Sequence, residues 1–460
     1  MTTPHPTNHH LHPNRPFDLT RQLSYTCPQN NPERFTTKPG KRHVKMKKYA
    51  IITVAIIAVT CQSKGSDPKS FARSARDQLQ NNILPFWLDY SIDDLHGGFH
   101  GRLTLDGTPL PDAPKGLVLN TRILWTFSAA HLFESRPEYI RTARRAYDYL
   151  VEHFWDTQHG GAYWMLDARG KPTDSGKELY GQAFALYALS EYYRATRYQP
   201  AIDKAVELYN LIEAEAYDPA NQGYRETFAR DWSPAPAARL AYGQKNATKT
   251  MNAHLHMLEA YTNLYRAWCD PRLKASLREL IIIFRDKILD PHTNHFRLFF
   301  DDAWTPTSDT ISFGHDIEGA WLLTEAAEVL ADAELAKEIE KISIKMAQAC
   351  YNEALDTDGS LFYEAEPHGV TDKQKSWWAQ AETVVGFINA HQLTKDQRYY
   401  EAAQRTWSFI LNHHVDSLHG EWFSTAVYGE RPPERTQKAN EWKAPYHNSR
   451  ACLEIIHRLK

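Results

Sequence analysis

Residues 156–163 read Asp-Thr-Gln-His-Gly-Gly-Ala-Tyr, an acid followed by a polar and glycine cluster and then an aromatic residue, and this phrase occurs six times along the chain. Asp suits a turn because its carboxylate bonds the backbone that follows, and Gly supplies the positive φ of a tight turn. The aromatic residue opens a short extended segment. The copies, spaced by about 60 to 70 residues, are Asp94–Phe99, Asp156–Tyr163, Asp218–Tyr224, Asp290–Phe296, Asp356–Phe362 and Asp416–Trp422.

The stretches between these turns have apolar residues at helical spacing. Examples are 183–192, 255–265 and 317–330. Each interval has room for two helices, and no alternating β pattern extends beyond the turns. The sequence therefore predicts an all-α fold of six helical hairpins with short β-hairpin turns, closed in a ring as an (α/α)6 barrel. An open solenoid is the alternative, because periodicity does not reveal closure.

Composition excludes several classes of protein. The 460 residues hold 53 basic and 56 acidic side chains without a long run of either sign, so no nucleic-acid partner is expected. The five cysteines lie far apart and form neither a zinc motif nor a disulfide ladder. The 13 Trp, 24 Tyr and 19 Phe suit stacking on sugars, although such rings also fill cores.

The first 65 residues are not expected to belong to the fold. Residues 1–45 are rich in His, Pro, Asn and Thr and predict disorder or a start codon placed too early. Residues 46–65 have the pattern of a signal peptide or lipoprotein-type segment: two lysines and a short apolar run precede Cys61. Thr60-Cys61 resembles a lipoprotein cleavage site, although residues 58–60 depart from the usual Leu-Ala-Gly. We expect export to the periplasm or a membrane anchor through Cys61, with a cytoplasmic protein as the alternative, and one catalytic domain over 66–460.

One helix of each repeat begins with polar residues and then turns apolar. If these helices run in the same direction around the ring, their N-terminal turns meet at one mouth, where the positive helix ends add to a polar pocket. We predict the active site there. The segments are Asn120–Trp125, Tyr180–Phe184, Asn252–Glu259, His315–Glu318, Trp377–Glu382 and Tyr446–Arg450.

Two His-x-x-Glu pairs lie in these segments, His256 with Glu259 and His315 with Glu318. Three residues apart on a helix, a carboxylate can fix the tautomer of an imidazole. His254 lies about 200° around the helix from His256 and is expected to face elsewhere. No metal is expected, because the order is the reverse of the Glu-x-x-His of di-iron bundles and His-Glu-x-x-His is absent from the sequence.

At these residues the chain resembles the N-acylglucosamine 2-epimerase superfamily, and within it the cellobiose and mannobiose 2-epimerases, from about residue 70 to 460. The matching segments are 120–122, 252–261, 314–318, 377–382 and 445–450. Ala379 stands where many relatives have Pro, a departure that should be tolerated. The resemblance implies an isomerase with an (α/α)6 barrel and no cofactor.

The resemblance also implies roles for particular residues. It makes Arg122, His315, Glu318 and His447 catalytic, and Asn252 and His256 ligands of the reacting sugar. Tyr180 and Glu382 are expected to bind substrate as well. Trp378 and Trp442 fall where stacking tryptophans are expected, which favours a disaccharide. Neither the choice between cellobiose and mannobiose nor that between monomer and weak dimer follows from the sequence.

The expected reaction inverts C2 of the reducing-end sugar through a cis-enediol. His447 would help to open the ring and exchange the C2 proton on one face, while His315, tuned by Glu318, would act on the other. Arg122 and His256 would stabilise the enediol oxygen. The alternatives are an aldose–ketose isomerase or an N-acylglucosamine 2-epimerase, and, in other classes, an inverting glycoside hydrolase or a sugar-binding lipoprotein.

Overall fold

The computed structural model describes residues 67–236, 238–241, 246–429 and 437–460. The predictions for residues 1–45 and 46–65 lie outside these ranges. The helices are α1 (Pro68–Gln78), α2 (Leu84–Tyr90), α3 (Leu117–Phe133), α4 (Pro137–Tyr149), α5 (Leu179–Thr196), α6 (Gln199–Glu215), α7 (Met251–Ala267), α8 (Pro271–Ile283), α9 (Phe313–Leu330), α10 (Ala333–Glu353), α11 (Trp377–Thr394), α12 (Gln397–His413) and α13 (Tyr446–Arg458). Short π-helical segments cover Leu79–Ile83, Leu150–Phe154 and Phe284–Ile288, and a 3-10 turn covers Arg239–Ala241.

The helices form two concentric rings. The inner helices α3, α5, α7, α9, α11 and α13 contact one another in that order, and α13 returns to contact α3. This closure confirms the (α/α)6 barrel and excludes the open solenoid. The outer helices are α1 with α2, α4, α6, α8, α10 and α12, each of which leads through a turn into the next inner helix.

Burial distinguishes the two rings. Every residue of α5 from Leu179 to Tyr192 is buried, as expected of a helix that has neighbours on all sides. On the outer helix α4 the buried positions include Tyr139, Ala143 and Ala146, which repeat at helical spacing and leave one face to solvent. No helix among the described residues is long and apolar enough to cross a membrane.

The repeated turn has the predicted chemistry. The Asp156 carboxylate accepts hydrogen bonds from the backbone N–H groups of Gln158 and His159, and Gly160 and Gly161 have φ of 70° and 68°. In the first copy this role belongs to Asp93, which accepts from the two corresponding N–H groups. Asp94, which we predicted to begin this copy, is a solvent-exposed neighbour.

Short antiparallel strands link neighbouring repeats at the turn end of the barrel. A strand before an inner helix pairs with the strand after the next turn, as when Lys115 lies opposite Leu166 and Lys177 opposite Phe228. The strands are β1 (Lys115–Gly116), β2 (Met165–Leu166), β3 (Pro172–Asp174), β4 (Lys177–Glu178), β5 (Thr227–Phe228), β6 (Lys249–Thr250), β7 (Phe299–Phe300), β8 (Ile311–Ser312), β9 (Glu364–Glu366) and β10 (Gly369–Asp372). The sheets have the orders β1-β2-β3, β4-β5, β6-β7 and β10-β9-β8.

Buried lysines join these strands to the turns. The Nζ atom of Lys177 lies 3.1 Å from the carboxylate of Asp156, and both side chains are inaccessible to solvent. A buried ammonium needs such a partner, so each pair fixes a turn against the start of an inner helix. The same arrangement joins Lys115 to Asp93, Lys249 to Asp218, Lys375 to Asp356 and Lys438 to Asp416.

Candidate active site

The N-termini of the inner helices surround the lumen at the turn end of the barrel, as predicted. The second and sixth residues of these helices meet there. They are one turn apart, so both lie on the same face of a helix. Apart from Val118, Gly314 and Ala451, the residues at these positions are Arg122, Tyr180, Phe184, Asn252, His256, Glu318, Trp378, Glu382 and His447.

The fourth residue of an inner helix has a different role. The Gln182 and Gln380 side chains bond the backbone of the preceding turn, at Ala162 and Leu361. His254 accepts from the backbone N–H of Tyr224, which confirms that it faces away from His256. The polar fourth residues of α5, α7 and α11 therefore anchor turns rather than line the lumen.

Arg122 is buried and held by neutral groups. Its Nη1 donates to the backbone oxygen of Trp442 at 2.8 Å, and its Nη2 donates to the Tyr180 hydroxyl at 2.8 Å. The guanidinium lies 4.4 Å from the centre of the Phe184 ring. Because these contacts do not neutralise the positive charge, it is available to stabilise an anion that forms in the lumen.

His256 and Glu259 form the predicted pair. The Nδ1 atom of His256 lies 3.0 Å from the Oε2 atom of Glu259. The other oxygen of Glu259 accepts from Tyr446 and from Arg450. Burial lowers the pKa of His256 well below its ordinary value, and the charge of Arg122 lowers it further.

The predicted contact between His315 and Glu318 is wrong. The Nδ1 atom of His315 lies 2.7 Å from the hydroxyl of Ser312, and the Oε1 atom of Glu318 accepts from Nη2 of Arg450 at 2.5 Å. The two side chains do not meet because the His315 rotamer directs Nδ1 toward the start of the helix, while the carboxyl group of Glu318 bonds Arg450 on α13. Burial lowers the pKa of His315 to about 4.

His447 has the carboxylate partner that was expected for His315. Its Nδ1 atom lies 2.7 Å from Oε1 of Glu382, on the neighbouring inner helix. We predicted that Glu382 binds substrate, but its two oxygens are occupied by His447, Arg450 and the indole N–H of Trp321. Glu382 is therefore a partner of the imidazole in this structure, and its contact with substrate stays a prediction.

Arg450 joins three carboxyl groups and was absent from our predicted site residues. Its guanidinium donates to Glu259, Glu318 and Glu382, which come from three different inner helices. Burial raises the pKa of Glu318 to about 8 and, with the neighbouring charge of Glu318, raises that of Glu382 well above its ordinary value. Burial also lowers the pKa of His447 well below its ordinary value, with Arg122 adding to the effect. The imidazole is thus neutral at neutral pH.

Glu318, Glu382 and His447 are close enough together to hold a cation, with ligand atoms within 4.8 Å of one another. The Arg450 guanidinium already bonds both carboxyl groups at this point. A second cation there would meet that positive charge. The donor set therefore fits the guanidinium better than a metal ion.

Aromatic rings line the remaining walls. The Trp378 ring lies 4.7 Å from the His315 ring and 5.7 Å from the His447 ring. It fits because a Cβ at Gly314 would lie 2.6 Å from the indole. Trp442 contacts the rings of Tyr180, at 5.7 Å, and Trp164, at 5.8 Å.

Asn252 lies beside His256 on α7, and its Oδ1 atom is buried without a hydrogen bond among the described residues. The structure brings the ten predicted site residues to one end of the barrel. It adds Ser312, Trp164 and Arg450. Of these three residues, only Arg450 could have been found from the sequence, because it lies in the polar first turns of α13.

The chain is similar to known sugar epimerases. The family model described as N-acylglucosamine 2-epimerase matches residues 97–451. The cellobiose 2-epimerases of Bacteroides fragilis and Dictyoglomus turgidum are 45% and 41% identical to the chain, over 82% and 83% of it and 97% of each relative. The solved structure of the cellobiose 2-epimerase from Bacillus thermoamylovorans is 39% identical, with a TM-score of 0.81, and covers 85% of this chain and 100% of its own.

Proposed function

The chain belongs to the N-acylglucosamine 2-epimerase family, and we propose that it is an isomerase that inverts C2 of the reducing-end sugar in β-1,4-linked disaccharides. It interconverts cellobiose and glucosyl-mannose, or mannobiose and mannosyl-glucose. One observation carries the proposal: two imidazoles from different inner helices, His315 and His447, lie against the same Trp378 ring in one lumen. Inversion requires proton removal on one face of C2 and delivery on the other, and two separately held imidazoles supply both.

The reaction begins when the sugar ring opens, which His447 assists. The C1 aldehyde makes the C2 proton acidic, and a neutral imidazole removes it. The electrons of the C2–H bond form the C1–C2 double bond of the cis-enediol, and the aldehyde oxygen gains negative charge. The other imidazole, once it has gained a proton from water, delivers that proton to C2 on the opposite face, and the C1 carbonyl re-forms. The two imidazoles thereby exchange protonation states, and no net proton is consumed.

The electrostatics of the site support this proton transfer. Burial holds the pKa of both His315 and His447 below the ordinary value, so a neutral imidazole is available as a base. Glu382 beside Nδ1 of His447 stabilises positive charge on that ring once it gains a proton. Arg122 supplies positive charge for the enediol oxygen, a contribution of about 3 kcal/mol for one well-placed donor. His256 and Asn252 would hold the reacting sugar.

A disaccharide suits the arrangement of the tryptophans. Trp378 lies beside both imidazoles and would stack on the sugar that reacts. Trp442 and Trp164 contact each other beside Tyr180 and would stack on the second sugar.

The carboxyl groups do not favour an inverting hydrolase. Such enzymes separate their two carboxyl groups by about 6.5 to 9.5 Å to admit a water molecule. Oxygens of Glu318 and Glu382 lie within 4.8 Å of one another, and both accept from Arg450.

The test is incubation of the protein with cellobiose and with β-1,4-mannobiose in D2O, followed by NMR. We expect the C2 epimer with deuterium at C2, and the faster sugar identifies the substrate. A ketose product would indicate an aldose–ketose isomerase instead, and free monosaccharide would indicate a hydrolase. Binding without exchange would contradict an enzymatic role.

Two variants test the roles of the imidazoles. His315→Ala and His447→Ala should each abolish epimerisation and leave folding intact by circular dichroism. His254→Ala removes a buried histidine of α7 that bonds a turn, and is the matched control for the loss of an imidazole. Retained epimerisation in either of the first two variants would contradict the two-histidine mechanism.

We also propose that the protein is exported and anchored by a lipid on Cys61, since a basic and then apolar segment precedes this cysteine. Expression of the full chain and of Cys61→Ala with labelled palmitate tests this. Label on the parent but not on the variant is expected. Equal labelling, or none on either, would contradict the anchor.

A further inference from the structure

Ser312 occupies the N-cap position of α9 but does not cap the helix. An N-cap serine usually accepts a hydrogen bond from a backbone N–H of the first turn. No such bond is made by Ser312, whereas Thr250, at the equivalent position of α7, accepts from the N–H of Ala253. The Ser312 hydroxyl instead lies 2.7 Å from Nδ1 of His315. The Ser312 hydroxyl therefore bonds the imidazole instead of capping the helix.

The two imidazoles consequently have unlike partners. Nδ1 of His447 faces a carboxyl group, Glu382, whereas Nδ1 of His315 faces a hydroxyl. A hydroxyl has acceptor lone pairs, so it can accept from Nδ1–H of His315 both in the neutral ring and in the protonated ring. In the neutral ring Nε2 is then free to take a proton, and in the protonated ring Nε2–H can deliver one. The hydroxyl also adds no negative charge, so it does not favour the protonated ring as a carboxylate would.

We propose that Ser312 is a positioning residue for proton transfer by His315. The hydroxyl holds the ring plane and allows Nε2 to act in both directions of the reaction. The two bases also differ in how well their surroundings stabilise a protonated ring, because only His447 has a carboxyl partner. This inference rests on the proposed function, in which His315 and His447 act on opposite faces of C2.

The proposal predicts that exchange of the C2 proton with solvent and inversion of C2 can be separated. In Ser312→Ala the His315 ring is no longer held, so transfer on its face slows, while His447 still removes and returns the proton on the other face. The epimer whose C2 proton faces His447 should then exchange with D2O without inverting. We expect epimerisation to fall by at least about tenfold, but by less than the roughly 10²- to 10⁴-fold that loss of a whole acid–base group costs. Exchange on the His447 face should stay near the parent rate.

The experiment measures C2 deuteration and epimer formation separately by NMR, starting from each epimer. Ser312→Thr keeps the hydroxyl and should restore the parent ratio. Thr250→Ala removes a true cap, so it should lower the melting temperature without changing the ratio. From the epimer whose C2 proton faces His447, exchange and inversion that fall in parallel in Ser312→Ala would overturn the proposal, and so would epimerisation that does not fall from either epimer.

A second measurement does not depend on activity. In protein labelled with ¹⁵N-histidine, the His315 ring signals, assigned from His315→Ala, report the Nδ1 bond directly. They should shift in Ser312→Ala and return in Ser312→Thr, and an unchanged signal would overturn the proposal. A parent protein that neither exchanges nor epimerises would contradict the proposed function, and the NMR signals would still test the Ser312 contact.

Discussion

The Oε1 atom of Glu382 lies 2.7 Å from Nδ1 of His447, although the two residues are 65 positions apart and lie on different inner helices. This contact sets the orientation of one of the two imidazoles. It also depends on Arg450, which donates to the same oxygen. The charged groups that orient this imidazole therefore come from different helices.

Glu382→Gln should lower kcat by about 10²- to 10⁴-fold, because an amide does not stabilise a protonated His447 and can favour the wrong tautomer. Cellobiose turnover measures the effect, with circular dichroism to check folding. The matched control is Glu325→Gln on α9, which loses an ion pair with Arg266 on the adjacent inner helix α7 but touches none of the site residues. Parent-like turnover in Glu382→Gln would refute the role of this contact.

The pH profile of kcat/KM should be broad on the acid side and fall above pH 8. The pKa of His315 is about 4, so in the direction in which His315 takes the C2 proton this base stays neutral well below the usual histidine value, and activity declines only as the pH approaches 4. The pKa of Glu318 is about 8, and its ionisation above this pH places negative charge near the anionic intermediate. Glu318→Gln resembles the protonated form and should abolish the alkaline decline. An unchanged decline in this variant would assign it to another group.

Trp442→Ala should raise KM for cellobiose by about 2- to 12-fold, the equivalent of about 0.5 to 1.5 kcal/mol for one aromatic contact. Because Trp442 lies away from the two imidazoles, beside Trp164, kcat should change little. Trp378→Ala is the comparison, and should lower kcat because this ring contacts both imidazoles. Steady-state kinetics measures both variants, and equal effects on kcat would be inconsistent with separate stacking positions.

His295 should make stability depend on pH. Burial lowers its pKa, but hydrogen bonds to Asp316 and Glu353 outweigh burial and raise the pKa to about 9. A raised pKa means that the stabilisation is fully present below about pH 6.5, the value in the unfolded chain, and is lost as the pH rises through 9. At about 1.4 kcal/mol per unit of pKa, the loss is at most about 3.5 kcal/mol.

Urea denaturation at pH 6 and pH 9 measures this loss as a difference in the free energy of unfolding. His295→Gln should be less stable at pH 6 and should lose less stability between the two pH values. The same pH dependence in parent and variant would show that other groups are responsible.

The helical hairpins and turns could be predicted from the sequence because the patterns that specify them extend over only a few residues. A turn phrase such as that beginning at Asp156 fixes its own hydrogen bonds within a few residues, and the apolar spacing of an inner helix follows from its own periodicity. The pair of His256 and Glu259 was predictable for the same reason, since both lie on one helix. The misplacement of the first turn at Asp94 instead of Asp93 arose because the two adjacent acids satisfy the same pattern.

Contacts between helices were not readable in this way. The contact of His447 with Glu382 requires that α13 lie beside α11. The contact of His315 with Ser312 is local, but it depends on a side-chain rotamer that residue spacing does not specify. Sequence patterning thus determined six helical hairpins with polar N-termini directed to one end, because hydrogen bonding and periodicity act over a few residues. Only the closed ring decided which carboxyl group meets which imidazole, because that choice depends on side-chain rotamers and on distances between helices far apart in the chain.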